Sequence, residues 1–408
     1  MFALDPATLS GRLSVPPTPR ATRGGSRMRH DVSVPVYEQS LWTSRQRQAN
    51  SIHEVSYRAC FKPQLPRYFI ERLTAAGDLV YDPFSGRGTT AVEAALTGRR
   101  VAANDINPLS AIFTLPRLEV PEVADIEERL RTLPMGRRRK SDIDLSMFYH
   151  SDTERELLAL RDYLARHASS GTDDAVDRWI RMVATNRLTG HSPGFFSVYT
   201  LPPNQATTPE NQIRINRKLK QKPEYRDTRA LILRKSAQLL ARLTAEDRAA
   251  LRHAAKSALL LERPAAQTRE LKSGSVQLTV TSPPFLDVVH YARDNWLRCW
   301  FNSIDADTVG AGITMSRTVE EWAEAMGAVF AELYRVTRNG GWVAFEVGEV
   351  KRGRVRLEEI VAPLGAAAGF ECEAVLINAQ KFTKTANIWG VRNNSKGTNT
   401  NRIVLMRK

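Results

Sequence analysis

In the first third of the chain, segments with apolar residues at helical spacing alternate with short continuous apolar runs. Residues 65–74 carry apolar side chains at the three- and four-residue spacing of an amphipathic helix. A short apolar run at residues 78–82 predicts a buried strand, residues 89–97 predict a second helix that ends at Gly98, and residues 100–105 predict the next strand. This strand–loop–helix–strand order is typical of nucleotide-binding α/β domains.

The period changes between residues 120 and 262, where amphipathic helical segments such as 153–167 and 228–242 flank a loop rich in Gly and Pro. The α/β pattern resumes with a predicted strand at residues 275–280. The remaining predicted elements are a helix at 319–336, a strand at 342–348 after a Gly340-Gly341 turn, a helix at 357–368, and strands at 373–377 and 402–406.

These patterns predict one discontinuous α/β domain with a mainly helical insertion and no internal repeat. Residues 1–35 are rich in Pro, Gly, Ser and Arg and show no periodicity, which predicts a basic, flexible N-terminal arm. The first half of the α/β domain is expected at residues 36–119, the insertion at 120–262, and the second half at 263–408.

The net charge indicates a polyanionic partner. The 408-residue chain carries a formal charge of +15, which suits nucleic acid. Abundant arginine can also reflect a GC-rich genome, so the total alone does not decide the partner. The distribution favours nucleic acid, because residues 212–242 contain ten Lys and Arg residues against two acidic ones.

Cysteine usage and hydropathy bear on location. Cys60, Cys299 and Cys372 form no CxxC pair or Cys/His cluster with zinc spacing, which predicts a reducing compartment and no structural metal. No apolar run approaches the roughly 20 residues that span a bilayer, and the N-terminus lacks a basic region followed by an apolar one. We therefore expect a cytoplasmic protein, associated with the bacterial nucleoid.

Residues 82–90 (DPFSGRGTT) form a glycine loop between a predicted strand and a predicted helix. Gly86 and Gly88 permit a tight turn and the close approach of a ligand to the backbone. The helix that begins near Thr89 presents free N–H groups and a positive dipole end to an anionic group. Asp105 ends the next strand, where a carboxylate can accept both hydroxyls of a ribose, and Ile106 can pack on an adenine ring. This arrangement predicts a site for an adenosine cofactor, and NAD satisfies it as well.

A second loop, residues 281–285 (TSPPF), follows the strand predicted at residues 275–280 and should lie at the carboxyl edge of the sheet. The prolines restrict the backbone, while the Ser282 hydroxyl and the Pro283 carbonyl can accept hydrogen bonds. Such acceptors suit an exocyclic NH₂ group, and Phe285 offers a face on which an extruded base can stack. Taken alone, the segment would be an ordinary Pro-Pro turn.

Together, the two loops resemble the FxGxG and (D/N/S/T)-P-P-(Y/F) loops of S-adenosylmethionine-dependent amino-group DNA methyltransferases. The resemblance covers roughly residues 55–110 and 270–408. It implies an α/β, Rossmann-like methyltransferase fold, with a mostly parallel seven-stranded sheet and helices on both faces. A mainly helical target-recognition region would be inserted between the halves. The implied cofactor is S-adenosyl-L-methionine.

The resemblance also implies site residues. Phe61, Lys62 and Pro63 would close over the methionine end of the cofactor, which Asp82 and Phe84 would flank. An acidic residue is expected near the third strand to contact the adenine amino group, and Glu270 is the candidate. The complete cofactor-binding set is Phe61, Lys62, Pro63, Asp82, Pro83, Phe84, Ser85, Gly86, Gly88, Thr89, Asp105 and Ile106. The catalytic set is Ser282, Pro283, Pro284 and Phe285.

The serine of TSPPF is typical of enzymes that methylate N4 of cytosine, which is the predicted target. Adenine-N6 enzymes more often carry Asp or Asn at the position of Ser282, and adenine remains the second candidate base. A missing Pro-Cys motif argues against cytosine C5. The sequence is also compatible with an RNA or protein amide methyltransferase, a non-enzymatic DNA-binding protein and an NAD-dependent dehydrogenase.

Double-stranded DNA is the predicted partner, with a cognate restriction endonuclease as a further possible one, and the chain is expected to be a monomer or a weak dimer. Basic residues of the predicted insertion should contact DNA. These residues are Arg187, His191, Arg214, Arg217, Lys218, Lys220 and Lys222. Their identities do not reveal a target sequence.

Overall fold

The computed structural model describes residues 6–16, 31–39, 49–57, 60–134, 141–200, 206–284, 291–313, 316, 318–350, 355–379 and 400–408. Its strands are β1 Leu9–Val15, β2 Val32–Gln39, β3 Leu79–Asp82, β4 Arg100–Asn104, β5 Leu259–Leu261, β6 Val276–Thr281, β7 Thr337–Val347, β8 Glu349–Val350, β9 Val355–Arg356, β10 Glu371–Ala379 and β11 Thr400–Arg407. Within these ranges, all strands but the short β8–β9 hairpin belong to one sheet.

The centre of the sheet is parallel. Strands β5, β4, β3, β6 and β7 are neighbours in that order and run in the same direction. Strand β11 follows on the β7 side and is antiparallel to both β7 and β10. These seven strands confirm the predicted Rossmann-like methyltransferase fold. The chain builds outwards from β3 in one direction and from β6 in the other, so a ligand crevice is expected where these two strands end.

Helices cover both faces. Their bounds are α1 Gln64–Leu73, α2 Thr89–Leu96, α3 Leu109–Leu118, α4 Val123–Thr132, α5 Ser151–Ser170, α6 Ala175–Arg187, α7 Pro209–Leu219, α8 Thr228–Leu240, α9 Ala245–Ala255, α10 Tyr291–Phe301, α11 Ala306–Gly312, α12 Val319–Val336 and α13 Glu358–Ala368. Buried apolar residues of α12 and α13 pack on one face of the sheet. Helices α1, α2, α3 and α9 pack on the other face.

The helical region shares its core with this second face. Buried residues of α4, α5, α6 and α8 belong to the same apolar cluster as α1 and α2. Trp179 in α6 is fully buried, and its indole N–H donates to Ser236 Oγ in α8 at 2.9 Å. The region between the two halves of the sheet is therefore anchored on the α/β domain through a continuous core.

The predicted end of the insertion at residue 262 needs correction. Helix α9 packs on α2 and β4, and β5 pairs with β4 in parallel. Both elements therefore belong to the sheet domain. The run Leu259–Leu261 has only three residues, too few for periodicity to distinguish a strand from the end of a helix.

The prediction of an unstructured arm over residues 1–35 also needs correction. Strands β1 and β2 pair antiparallel, and β2 joins β10 in parallel, which extends the sheet to nine strands in the described residues. Val15 and Val34 are buried in the sheet core. Most of β1 is exposed, so its sequence shows little apolar periodicity, and backbone pairing decides its structure. Residues 1–5 and 17–30 lie outside the described part.

Most elements predicted around the two loops are confirmed within one or two residues at each end. Strand β7 is longer than predicted, because Gly340 and Gly341 lie inside Thr337–Val347 and do not precede it. In the part of the chain that the structure describes, no helix combines the length and apolar character needed to cross a bilayer.

Candidate cofactor and catalytic site

The glycine loop connects β3 to α2 at the expected crevice. All four residues of β3 are buried, and the loop that follows uses left-handed backbone at Gly86 (φ 52°) and Gly88 (φ 74°). A Cβ atom on Gly88 would lie 2.2 Å from Thr114 Oγ1 in α3. Both the backbone conformation and this close approach therefore require glycine at residue 88.

Asp105 holds the loop from the neighbouring strand. Its carboxylate follows β4 and accepts hydrogen bonds from the Gly86 N–H at 2.7 Å and the Asn107 N–H at 3.0 Å. Burial, together with the nearby Glu262 carboxylate, raises the pKa of Asp105 to about 6 despite these two bonds. Asp105, the residue predicted to bind the ribose of the cofactor, therefore lies directly against the glycine loop. Its carboxylate carries a charge at neutral pH.

Asp82 connects the glycine loop with the TSPPF loop. The Thr281 hydroxyl, at the end of β6, donates to Asp82 Oδ1 at 2.6 Å, and the Phe84 N–H donates to the same oxygen at 3.1 Å. Asp82 is 1% exposed, and burial raises its pKa to about 7. Its carboxylate therefore joins the two loops across the crevice.

The other predicted residues of the glycine loop lie around this junction. Pro83 is buried and its carbonyl accepts from Asn104 Nδ2 at 3.1 Å, while Phe84 is half-buried. The buried hydroxyl oxygens of Ser85 and Thr114 have no hydrogen-bond partner in the structure. Unsatisfied buried polar atoms beside a left-handed glycine loop fit a polar ligand such as the amino-acid end of S-adenosylmethionine.

Thr89 is the first residue of α2, is buried, and accepts from Arg87 Nε at 3.3 Å. Ile106 is half-buried, and its Cδ1 would lie 2.9 Å from a Cβ placed on Gly312 at the end of α11. One side of Ile106 thus packs against α11. The structure therefore adds α11 to the elements that surround the predicted adenine position.

The segment that precedes α1 lies beside the loop. Phe61 and Lys62 are half-buried, and Pro63 is buried at the N-terminal end of α1. Burial lowers the pKa of Lys62. Tyr57, which the sequence did not single out, accepts from Asn107 Nδ2 at 2.7 Å, and its ring would lie 3.8 Å from a Cβ on Gly86. Residues 58 and 59 lie outside the described part.

Ser282 is positioned by a fully buried strand and by a carboxylate from its neighbour. Every residue of β6 is buried, and Thr281 pairs with Phe345 of β7, so Ser282 lies beside Glu346. The Ser282 hydroxyl lowers the pKa of the nearby Glu346 carboxylate, which accepts from Asn401 Nδ2 at 2.7 Å. Glu346 is 5% exposed, and burial raises its pKa.

Sequence reasoning missed Glu346, although an acidic residue in the apolar strand Trp342–Val347 was a usable signal. Pro283 is buried, and Pro284 is exposed with its carbonyl accepting from Trp322 Nε1 at 3.0 Å. Phe285 lies outside the described residues. The described part of TSPPF is therefore held from two sides, by β7 and by α12.

Among the described residues, Glu270 forms no bond with the residues around the predicted adenine position. It is exposed and forms an ion pair with Arg263 at 2.9 Å. The acidic residue that directly follows the third strand, β5, is Glu262, whose charge acts on Asp105. Glu262 is therefore better placed than Glu270 for the predicted adenine contact.

The predicted DNA-binding residues fall into two groups. Arg187 is 8% exposed, donates to the carbonyl and side-chain oxygens of Asn186, and lies 4.0 Å above the Phe195 ring. Burial lowers its pKa to about 10. This corrects the prediction for Arg187 as a surface contact, while His191 is half-buried beside Phe195. The exposed group is Arg214, Arg217, Lys218, Lys220 and Lys222.

Other cations in the basic stretch have internal partners. Arg226 donates to the carbonyls of Ser192 and Phe195, and Arg229 donates to the Leu133 carbonyl at 2.7 Å. Lys235 is 8% exposed. Arg234 and Arg242 are exposed as well, so five of the seven exposed cations of residues 212–242 lie on α7 and the turn that follows it.

Comparison with known proteins agrees with this geometry. Residues 26–111 match the DNA methylase family model. The matched segment contains the Phe61–Pro63 segment, the glycine loop and Asp105. A type II methyltransferase from Methanocaldococcus jannaschii, M.MjaII, is 31% identical over 86 residues, which cover 21% of this chain and 16% of that protein. The alignment thus reaches less than a fifth of the relative's length.

Similar solved structures are also methyltransferases. A candidate DNA modification methylase from Thermus thermophilus, complexed with S-adenosyl-L-methionine, is 19% identical, with a TM-score of 0.23 over 36% of this chain and 53% of that chain. An rRNA methyltransferase from Streptomyces viridochromogenes is 12% identical, with a TM-score of 0.32 over 88% of this chain and 89% of that one.

Proposed function

We propose that this protein is a site-specific DNA methyltransferase that transfers the methyl group of S-adenosyl-L-methionine to N4 of an extruded cytosine in double-stranded DNA. The observation that carries the proposal is the Asp82–Thr281 hydrogen bond of 2.6 Å, which holds the glycine loop against the TSPPF loop. The DNA methylase match over residues 26–111 supports the cofactor half of this site.

The position of Ser282 beside Glu346, on neighbouring strands, supports transfer to an amino group. When the Ser282 hydroxyl donates to the Glu346 carboxylate, its oxygen lone pairs remain available to accept an N–H of the target base. The Pro283 carbonyl would accept the second N–H. Two acceptors orient the nitrogen lone pair toward the methyl group and increase the sp³ character of the nitrogen.

In the proposed reaction, a nitrogen–carbon bond forms at N4 as the sulfur–methyl bond breaks. S-adenosylmethionine supplies the methyl group as a sulfonium, and S-adenosylhomocysteine leaves. The nitrogen then loses one proton. Glu346 of β7, which lies beside Ser282, is the carboxylate that would receive it. Asp105, which accepts from the Gly86 N–H, would bind the ribose of the cofactor, and the glycine loop would hold its methionine end.

DNA would be held by the exposed cations of α7 and the following turn. These residues neutralise phosphates without regard to sequence, and the rest of the helical region would provide target recognition. Adenine N6 is the second candidate target, since its amino group meets the same two acceptors. A cognate restriction endonuclease and a cytoplasmic location belong to the same proposal.

The test is incubation of the protein with S-adenosylmethionine and unmethylated bacterial genomic DNA, followed by mass spectrometry of the nucleosides. We expect N4-methylcytosine with the wild type and none with Ser282→Ala. N6-methyladenine would keep the enzyme and replace the target base. If the wild type modifies RNA or a protein and leaves DNA unmodified, the proposed substrate is wrong. DNA binding without transfer to any substrate would identify a binding protein.

A further inference from the structure

A cavity of about 560 Å³ lies apart from both loops, where α7, α10 and residues 141–150 meet. Its walls are mainly apolar and include Met147, Ile213, and Trp296 and Trp300 of α10. No described residue of the glycine loop or the TSPPF loop lines it. It is therefore a second cavity, on the helix that follows the TSPPF loop in the chain.

The indole N–H groups of both tryptophans donate hydrogen bonds within the protein. Trp296 Nε1 donates to the Thr207 carbonyl at 3.1 Å, and Trp300 Nε1 donates to Asp142 Oδ1 at 2.8 Å. Arg161 lies over the Trp300 ring at 4.6 Å. Because both indole donors are satisfied, the tryptophans contribute apolar, π-bearing surface to the cavity, which suits a flat ring.

Polar groups at the rim narrow the class of ligand. Asp144 and Glu210 are exposed carboxylates at the cavity. Ionised carboxylates accept hydrogen bonds and cannot donate them, and they repel phosphate. The cavity therefore suits a neutral aromatic ring that carries an amino donor, which describes cytosine, adenine and guanine but not thymine.

The face of α7 that lines the cavity continues into the exposed basic surface. Glu210 and Ile213 line the cavity, while Arg214 and Arg217 lie four residues after each of them and are exposed. Residues four apart in a helix share a face, so α7 places the acceptor Glu210 at one end and the cations Arg214 and Arg217 about 6 and 10 Å further along the axis. This polarity matches a nucleotide strand running along the helix.

We propose that this cavity binds one unpaired base of the DNA, other than the methylation target, by stacking on Trp296 and Trp300 and donating its amino group to Asp144 or Glu210. The inference rests on the proposed function, because it requires DNA as the substrate. A base held here would keep the duplex open at this cavity and would contribute to the choice of sequence.

The first test is ultraviolet cross-linking of the full chain to unmodified genomic DNA, followed by trypsin, nuclease and mass spectrometry. We expect a nucleotide adduct on peptide 294–298 or on the peptide that begins at Cys299, with the mass of cytosine, adenine or guanine. Cross-links confined to other peptides, or an adduct that carries thymine alone, would overturn the inference.

The second test is the affinity of the double variant Asp144→Ala, Glu210→Ala for the same DNA. Carboxylates that merely lie near phosphates weaken binding, so their removal would tighten it. Carboxylates that accept a base amino group should make the variant bind about 10-fold more weakly. Affinity equal to or tighter than wild type would overturn the inference. Glu224→Ala, another exposed acid in the basic stretch, is the control.

A third variant, Ile213→Trp, fills the cavity and should lose the adduct on α10 while still binding S-adenosylhomocysteine. Retention of that adduct would overturn the inference. The two proposals fail separately. Methyl transfer to DNA with no adduct on α10 contradicts only the base cavity, whereas the absence of both DNA binding and methyl transfer contradicts the proposed function and the cavity together.

Discussion

Ser282 and Glu346 lie side by side on neighbouring strands, and we propose a different task for each side chain. Ser282→Ala removes the acceptor for the target amino group, so we expect kcat to fall by about 100-fold or more while the affinity for S-adenosylhomocysteine stays unchanged. Rapid-quench kinetics and calorimetry measure the two quantities. A variant with wild-type kcat would show that Ser282 does not touch the base.

Glu346→Gln tests the carboxylate separately. Burial raises the pKa of Glu346, so its ionised form is lost as pH falls through that raised value, and kcat should fall with it. Glutamine does not titrate, so the variant should have a lower kcat without this acid limb. The pH profiles of both proteins between about pH 5 and 9 provide the measurement. If the variant keeps the fall of kcat at low pH, the titrating group is a residue other than Glu346.

Asp82 links the site to the stability of the fold. Burial raises its pKa from 3.8 to about 7, so the folded protein binds a proton that the unfolded chain has lost between these values. Asp82 should therefore reduce the free energy of unfolding progressively as pH rises from about 4 to 7, by a few kcal/mol in total.

Asp82→Asn should remove this pH dependence, because the amide stays neutral and its oxygen can accept the same bonds from Thr281 and Phe84. Denaturant unfolding at several pH values measures the difference between variant and wild type. Asp307→Asn, an exposed acid, is the control. Parallel pH curves for wild type and Asp82→Asn would contradict the assignment.

At the scale of elements, the glycine loop depends on its packing against α3. Gly88→Ala would place a Cβ 2.2 Å from Thr114 Oγ1 in a left-handed backbone, and we expect a loss of about 2–4 kcal/mol in stability together with weakened cofactor binding. Adding Thr114→Ala to this variant should restore part of the stability and part of the cofactor binding. Thermal unfolding and calorimetry are the measurements.

Gly98→Ala is a control that has the backbone strain of Gly88→Ala without its close contact to Thr114. Gly98 has a φ of 75°, but nothing lies within 4 Å of an added Cβ. Its cost should be limited to about 1 kcal/mol of backbone strain, without an effect on the cofactor. Equal effects of the two glycine substitutions would argue that packing on α3 does not shape the loop.

The basic face of α7 is expected to contact phosphates. Arg217→Ala with Lys218→Ala should weaken binding to DNA of any sequence and reduce the slope of log affinity against log salt by about 1–2. Fluorescence anisotropy at several salt concentrations provides the slope. Arg131→Ala, an exposed arginine on α4, is the control. A slope that is unchanged in the double variant would remove α7 from the DNA interface.

Elements differ in how well local sequence predicts them. Strands β3, β4 and β6 are almost entirely buried, so each reads as an apolar run next to a loop signal. Strand β5 has three residues, and β1 is mostly exposed. Their sequences contain no pattern of sufficient length, because hydrogen bonds to a distant neighbouring strand stabilise them.

At the scale of the molecule, the β1–β2 pair closes one end of the sheet, four strands away from β6. Removal of residues 1–40 would expose the β10 edge from Val375 to Asn378 and part of the apolar core. We expect the melting temperature to fall by about 5 °C or more and aggregation to increase. Cofactor affinity should not change, because the site lies at β3 and β6.

Calorimetric titration of S-adenosylhomocysteine and light scattering separate these two effects. A truncated chain that binds the cofactor and aggregates on warming supports an edge-covering role for β1 and β2. Loss of cofactor binding in a folded truncated chain would mean that the N-terminal strands shape the site, contrary to this prediction.

The sequence by itself determined the two loops, the strands that carry them and the type of fold. These features depend on local rules: buried strands are apolar, left-handed turns require glycine, and the rigid Pro-Pro segment follows a strand. Gly86, Gly88, Asp105 and Ser282 could therefore be singled out as candidate site residues without the structure. The position of the excess positive charge in residues 212–242 was visible in the same way.

Only the tertiary structure decided which side chains meet. Asp82 contacts Thr281 across 199 residues of sequence, and Ser282 meets Glu346 because β6 and β7 are neighbours. The structure likewise shows that Arg187 is buried, whereas the cations of α7 are exposed. Strand neighbours and burial depend on the packing of distant segments, and local residue type and spacing do not determine them.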